Sequence, residues 1–466
     1  GINAVNQRQL WLPLRFKARS FKSKEITMHI SATKIRPLWI CLFLLFTSPV
    51  MAQELRDPLG MLLTWQQDPT TTMTIDWHTR NANESVVVRY RQAGSSGEWA
   101  STLGDTRPFP YSDRFIHRVE LTGLQADTEY QFQVSEFTRL RKFRTMPETI
   151  TGRSVKFVAG GDVRHDIDWV DQTARQVMKY EPDFVLWGGD LAYADGRADR
   201  AYRWYELLDT TMQVLVTPTG RMVPVLASNG NHEVKGGYYR NNDHEQRRDF
   251  PAYTQTDVSR AQIAPYYYSL FAFPGQPGYG VMDFGDYLSV VLLDTDHTNP
   301  IGGQQTDWLK GVLAARTDVP HVFPIYHVGG FPSVRNPNGL THRNVREHWV
   351  PVFESSSVRV VFENHDHVFK RTFPIRDGRV SSDGVVYIGD GAWGTSTREL
   401  GRDHTEHAWY LDRAASQRHA IIGVLQGSHQ QFLTVNEHGE VIDEYPRLTL
   451  PDGGGNIAER WLPQSE

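Results

Sequence analysis

The stretch Phe184-Val185-Leu186-Trp187-Gly188-Gly189-Asp190 constrains the fold more than any other part of this chain. Four apolar residues, broken by paired glycines and followed at once by a carboxylate, read as a buried strand that delivers Asp190 to its carboxyl end. In open α/β sheets that edge is where ligands bind. The glycines permit a tight turn and the close approach of something bulky.

The same arrangement recurs. Gly161-Asp162 follows Val155 to Ala159, and Asn229-Gly230-Asn231-His232-Glu233 follows Val223 to Ala227. Tyr326-His327 closes a run from His321, and Asn364-His365-Asp366-His367 follows Val358 to Phe362. Taken singly, Asp162 could cap a helix, Asn231 could serve a turn and His327 could be a satisfied core histidine. Repetition of one placement in chain order is not what chance strands produce. His365 and His367 alternate, so on an extended segment both face the same side. The expectation is that the thing approached is a pair of cations, with Asp190 bridging them and Tyr193 binding one.

The elements around these runs belong to an α/β sandwich of two mixed sheets flanked by helices. Residues 168 to 180 place Trp169, Thr173, Ala174, Val177 and Met178 on one helical face, and Glu181-Pro182-Asp183 ends that helix. A second helix is expected from Ala198 to about Val214 and a third at Gln304 to Ala315. Tyr266 to Leu270 and Leu288 to Leu293 read as strands of the second sheet, and Val385 to Ile388 with runs around Phe432 and Val441 add C-terminal strands. Residues 235 to 264 carry no period and read as a long functional loop.

Before Thr151-Gly152-Arg153 the pattern is all-β. Thr72 to Trp77 and Ser85 to Tyr90 are β-rich runs separated by Asn81-Ala82-Asn83-Glu84, and Asn83-Glu84-Ser85 is a glycosylation sequon. The stretch Leu121-Thr122-Gly123-Leu124-Gln125-Ala126-Asp127-Thr128-Glu129-Tyr130 resembles the corner of a fibronectin type III sandwich. The expected organisation is an over-extended start or disordered segment over 1–27, a signal peptide over 28–52, a fibronectin III-like domain over 54–150, a catalytic domain over 153–449 and a loose tail over 450–466. Within the signal peptide, Lys34 and Arg36 precede an apolar stretch from Leu38 to Phe46, with cleavage near Ala52; the stretch is too short for a permanent membrane anchor. The mature protein is then secreted or periplasmic.

Loss of the leader removes eight basic residues and one acid, so the formal charge falls from −5 to −12. A chain that acidic is poorly suited to wrapping nucleic acid. The single cysteine, Cys41, leaves as well, which excludes disulfides, cysteine metal sites and a thiol nucleophile.

The order Asp162, then Gly189-Asp190 with Tyr193, then Gly230-Asn231-His232-Glu233, then His327, then His365-Asp366-His367 resembles the calcineurin-like metallophosphoesterases, and within them the purple acid phosphatases. The resemblance covers most of residues 155 to 395, and a preceding fibronectin-like domain is similar to plant-type members. It implies that Asp162, Tyr193 and His367 hold a ferric ion, that Asn231, His327 and His365 hold a divalent ion (zinc, manganese or ferrous iron), and that Asp190 bridges. Carboxylate, phenolate and imidazole suit a hard trivalent ion, whereas two imidazoles and an amide suit the divalent metals. Two such cations hold a phosphoryl oxygen and generate hydroxide for in-line displacement, so the implied activity is hydrolysis of small phosphate monoesters. His232 and His342 resemble the family's histidines that contact phosphate and help protonate the leaving group. Two departures stand out: Arg164 replaces the usual glycine after the first motif, and Asn364 replaces the glycine before His365. A phosphodiesterase acting through the same site is the alternative within enzymes; a non-catalytic adhesion protein is disfavoured because all seven ligand positions are filled.

Overall fold

The computed structural model describes residues 57–135, 138–239, 255–401 and 408–446. The segments expected as leader, signal peptide and tail (1–27, 28–52 and 450–466) lie outside the described residues, as does the middle of the long loop after His232.

The N-terminal part is a sandwich of two four-stranded antiparallel sheets. One contains Leu59–Thr64, Met73–Thr79, Phe115–Leu121 and Asp105–Pro108; the other contains Ala100–Leu103, Val87–Gln92, Glu129–Gln133 and Arg141–Arg144. Ile75, Val88, Val119, Phe132 and Phe143 alternate inward along these strands and are fully buried between the sheets, the pattern that period-2 side chains give when one face of each sheet is covered. The Tyr130 hydroxyl accepts the Gln125 amide at 2.9 Å, pinning the corner where the chain crosses between sheets.

The sandwich is docked on the rest of the chain through charged and aromatic contacts. Arg114 forms a bidentate pair with Asp209 at 2.8 and 3.1 Å, and Arg118 bonds both Asp76 and the Leu270 carbonyl. Trp65 meets Phe184 and Phe284 edge to face.

From Val155 onward two mixed sheets face each other. The first runs Val225–Ala227, Phe184–Trp187, Val155–Gly160, His419–Gln426, His429–Asn436 and Val441–Tyr445, parallel in its first three strands and antiparallel in its last three. The second runs Gly280–Phe284, Leu288–Leu292, His321–Val328, Val360–Asn364, Val386–Gly389, Phe369–Thr372 and Leu411–Ala415, with a parallel centre. Phe157 of the first sheet packs on Phe323 and Phe362 of the second, ring centroids 5.5 and 5.8 Å apart. Ile167–Met178 and Ala201–Val214 cover the outer face of the first sheet, and Gln304–Ala314 with Leu340–His348 cover the second.

Three expectations differ from what is observed. Tyr266 to Leu270 is not a strand but part of the helix Pro265–Leu270, with Pro265 at its first turn and Tyr266, Tyr267 and Leu270 buried; aromatic residues favour strands on average, but here proline at the helix start and an apolar face at helical spacing override that preference. The long loop holds a further helix, Asp257–Ile263, started by the Thr256 hydroxyl accepting from the Ser259 amide. In the first helix the buried position is Val170, while Trp169 lies partly exposed beneath the Arg418 guanidinium.

Candidate metal centre

The carboxyl ends of the parallel strands from both sheets meet at one rim, and all seven expected ligand residues sit there. Five of them hold left-handed backbone: Asp162, Asp190 and Tyr193 at φ of 52° to 54°, His365 at 89° and His367 at 61°. Each such residue costs about 1–2 kcal/mol, and strain gathered in one place marks a functional site.

His365 and His367 are therefore not on an extended segment. The strand ends at Asn364, and the turn beyond it sends the two imidazoles to different neighbours. The role of the paired glycines also differs from expectation. A Cβ on Gly188 would lie 1.7 Å from Asn364 Nδ2, one on Gly161 would lie 2.5 Å from Asn364 Oδ1, and one on Gly189 would lie 2.8 Å from Gly230 Cα. What approaches the glycines is the neighbouring loops, not ions. Asn364 stands in place of a glycine because Gly161 and Gly188 leave it room, and its Nδ2 donates to the Tyr326 carbonyl at 2.9 Å.

The donor atoms form two groups. In the first, the Tyr193 hydroxyl lies 3.1 Å from Asp162 Oδ1 and 3.3 Å from His367 Nε2, and that nitrogen is 3.0 Å from Asp162 Oδ1. In the second, His327 Nε2 is 3.0 Å from Asp190 Oδ2, 3.0 Å from His365 Nδ1 and 3.1 Å from Asn231 Oδ1. Asp190, His327 and His365 present ligand atoms within 4.8 Å of one another, all buried. Asp162 Oδ2 ties the groups together by accepting the His365 amide at 2.9 Å.

The outward nitrogen of each imidazole fixes which atom faces inward. Nδ1 of His327 donates to the Gly188 carbonyl at 2.9 Å, and Nδ1 of His367 donates to the Ser396 carbonyl at 3.2 Å. A carbonyl only accepts, so in the neutral rings both Nε2 lone pairs point into the site. His365 reaches the Tyr238 hydroxyl through Nε2 at 3.1 Å, leaving Nδ1 inward. Three imidazole nitrogens, two carboxylates and the amide oxygen thus face one another in a buried space, the arrangement that cations with oriented outer partners require. The electrostatics agree. Burial opposes the His327 cation, yet the Asp190 and Asp162 charges outweigh it and raise the pKa to about 9, so positive charge is favoured there. Burial and the same two carboxylates push the Tyr193 phenol well above its usual range; a nearby cation is what would make it a phenolate. The residues present fit a pair of metal ions.

His232 stands beside the groups rather than in them. Its ring lies 4.3 Å from that of Tyr193, its Nε2 is 4.0 Å from Asp190 Oδ2, and its Nδ1 is held by Asp195 Oδ1 at 2.5 Å, with Arg200 on the other side of that carboxylate. Burial disfavours the His232 cation, but Asp190 and Asp195 overcome this and raise the pKa. His342 starts the helix Leu340–His348, is buried, and donates from Nδ1 to the Gly329 carbonyl at 2.5 Å. Arg164 is taken up by an ion pair with Glu206.

Several residues at the site carry no motif and escaped sequence reading. Asp195 orients His232, and its signal is a second carboxylate in the loop that carries Asp190. Glu233 has an unforeseen role: its carboxylate accepts the amides of Asp190, Leu191 and Gly230 at 2.7 to 2.8 Å and so joins two ligand loops. Tyr238 lies in a polar stretch with no pattern. Beneath the site, Lys370 pairs with Glu363 and lies 3.7 Å from Asp390, all at 1% exposure or less; a lone lysine within Val368-Phe369-Lys370 is its trace in the sequence.

Two family models match in tandem: "Purple acid Phosphatase, N-terminal domain" over residues 58–145 and "Calcineurin-like phosphoesterase" over residues 159–369. The chain belongs to the calcineurin-like metallophosphoesterases, as a purple acid phosphatase-like member with that group's N-terminal domain, and is a metal-dependent phosphoester hydrolase. Purple acid phosphatase 21 of Arabidopsis thaliana is 24% identical over 68% of this chain and 68% of its own length, and purple acid phosphatase 22 of the same plant is 25% identical over 67% of each. The purple acid phosphatase PPD1 from yellow lupin (Lupinus luteus) seeds has the same fold, with a TM-score of 0.68 at 15% identity over 84% of this chain and 74% of the lupin chain. The family implies a binuclear metal centre.

Proposed function

We propose that this chain is a secreted phosphatase that hydrolyses phosphate monoesters at a centre of one ferric and one divalent ion. The carrying observation is the convergence of Asp162, Asp190, Tyr193, Asn231, His327, His365 and His367 with their nitrogen and oxygen atoms turned inward. Asp162, Tyr193 and His367 supply the hard donor set for iron, and Asn231, His327 and His365 the set for zinc, manganese or ferrous iron, with Asp190 between them. When bound, the two ions polarise the phosphoryl group and acidify the attacking water. The chain's own groups do the rest. His232, held by Asp195 and raised in pKa, keeps a proton facing the substrate and delivers it to the departing oxygen. His342, in the first turn of the helix Leu340–His348, assists as a second contact to the phosphate or leaving group.

Metal analysis with visible spectroscopy tests the reading. About two ions per chain are expected, one of them iron, with a tyrosinate charge-transfer band that disappears in Tyr193→Phe. Turnover of 4-nitrophenyl phosphate should exceed that of bis(4-nitrophenyl) phosphate. Protein that binds no metal and hydrolyses neither ester overturns the proposal, and faster turnover of the diester favours the phosphodiesterase alternative. Full turnover across pH in His342→Ala removes that residue from the mechanism. Secretion is tested separately, by finding Gln53 at the N-terminus of the exported protein.

A further inference from the structure

A cavity of about 510 Å³ opens beside the candidate centre, walled by the loop from Phe331 to Asn338, the helix residue Arg346 and Ala408 to Tyr410. We infer that this cavity receives the leaving group of the ester and selects a planar aromatic alcohol bearing a second negative charge. The inference rests on the phosphatase reading and names the substrate class for the same site.

Two groups connect the cavity to the chemistry. Arg335, on its wall, holds Asp366 Oδ1 at 3.1 Å, and Asp366 is the residue between His365 and His367. The Arg335 charge is felt at both His365 and Tyr238. Arg346, also on the wall, lies one helical turn beyond His342, on the same face of Leu340–His348. The cavity wall thus reaches the centre through Arg335 and Asp366, and the helix that carries His342 supplies Arg346 to it.

The lining specifies the occupant. Among the described residues, it contains two arginines and no carboxylate. The Asp366 carboxylate is shared, since its Oδ2 also accepts the amides of Ser333, Val334 and Arg335 at 2.7 to 3.1 Å. Arg346 is held by the Gly330 and Pro337 carbonyls, which position its guanidinium without neutralising it. Burial lowers the Arg346 pKa by more than nearby Tyr410, Glu363 and Glu347 raise it, so the guanidinium is a desolvated cation. Opposite stand aromatic rings: Tyr410 is fixed by its hydroxyl on the Pro332 carbonyl at 2.7 Å, and Trp409, 48% exposed, stands 5.6 Å from it. A large indole left half in water beside arginines is a stacking surface for a flat ring. The volume falls within the range of small-molecule sites, and the loop is held in place by Lys370 on the Phe331 carbonyl.

The test uses the metal-loaded enzyme and three monoesters: 4-carboxyphenyl phosphate, phenyl phosphate and glycerol phosphate. In Trp409→Ala the ratio of kcat/KM for either aryl ester over glycerol phosphate should fall about tenfold. In Arg346→Gln the ratio of 4-carboxyphenyl over phenyl phosphate should fall by a similar factor. Trp409 is half exposed, so its removal leaves the core packed even if Arg346→Gln does not fold. Ratios unchanged in Trp409→Ala overturn the inference. Binding of the product 4-hydroxybenzoate, followed by titration calorimetry, gives a readout free of turnover: saturable binding weakened in Trp409→Ala supports the cavity, and no binding to the wild-type protein overturns it. Turnover of glycerol phosphate by the wild-type enzyme checks the phosphatase reading alone, so the two can fail independently.

Discussion

Asp195 decides which way His232 points. The imidazole is bonded at Nδ1 by that carboxylate and stacked on Tyr193, so its Nε2 is the nitrogen left facing Asp190. An amide at position 195 can hold the ring in the wrong tautomer. Asp195→Asn should therefore lower kcat about 10- to 100-fold while KM and metal content stay near wild type; a kcat within twofold of wild type would show that His232 needs no such partner. Glu233 acts on the backbone instead. Its carboxylate takes three amides from two ligand loops, and Glu233→Ala should cost about 1–3 kcal/mol for each buried donor left unmet, with loss of metal. Denaturant unfolding read alongside metal content checks this, and an unchanged midpoint with full occupancy would count against it. The candidate ligands were legible from sequence because each closes, or follows shortly after, an apolar run. Asp195 and Tyr238 were not, because their roles depend on what the folded loop brings against them.

At the scale of elements, the strand Phe369–Thr372 carries a charge into the core. Burial opposes the Lys370 cation, but Asp390 and Glu363 outweigh it and keep it charged. The Tyr326 hydroxyl and the Gly330 amide also bond Glu363, at 2.8 and 2.6 Å. This buried group links the strands His321–Val328 and Val360–Asn364, beside His327 and His365, to the loop around Asp390. Lys370→Met leaves buried carboxylates without their counter-charge, and a loss of about 3–5 kcal/mol is expected. Equilibrium unfolding measures it; a loss below about 1 kcal/mol, the worth of an exposed pair, would mean that water reaches the cluster. The apolar runs that became strands were readable by composition alone. Tyr266-Tyr267-Tyr268 was not, since β-propensity is an average over environments and here a proline and a packed helical face decided otherwise.

For the molecule as a whole, stability at acid pH depends in part on two buried neutral histidines outside the candidate ligand set. His78 sits where the sandwich meets the helix Ala201–Val214, against Phe109 and beside Gly60. Burial, reinforced by the charges of Arg114, His117 and Arg107, lowers its pKa to about 3. His419, edge to face with Phe369, is lowered to about 4 by burial. Both groups titrate near 6.5 once unfolded. Between 6.5 and these folded values the unfolded chain binds protons that the folded chain refuses. The contribution of these two groups is thus full above pH 6.5 and falls as pH drops, by up to about 1.4 kcal/mol per unit for each. Between pH 6.5 and 4 the fall in thermal unfolding temperature should be shallower in His78→Gln than in the wild type. Identical slopes in the two proteins would rule His78 out as a cause.

The sequence alone determined where carboxylates, imidazoles and a phenol fall relative to apolar runs, because strand formation and the placement of polar groups at strand ends are local properties. From that came the two-part architecture, the seven candidate ligands and the kind of chemistry they suit. The tertiary structure alone decided which loops touch across the two sheets: that Asn364 fills the space over two glycines, that Glu233 and Asp195 hold the candidate ligand loops, and that Arg335, on the wall of a cavity lined by arginines and aromatic rings, meets Asp366. Those contacts join residues far apart in the chain, and no periodicity within one segment records the distance to another.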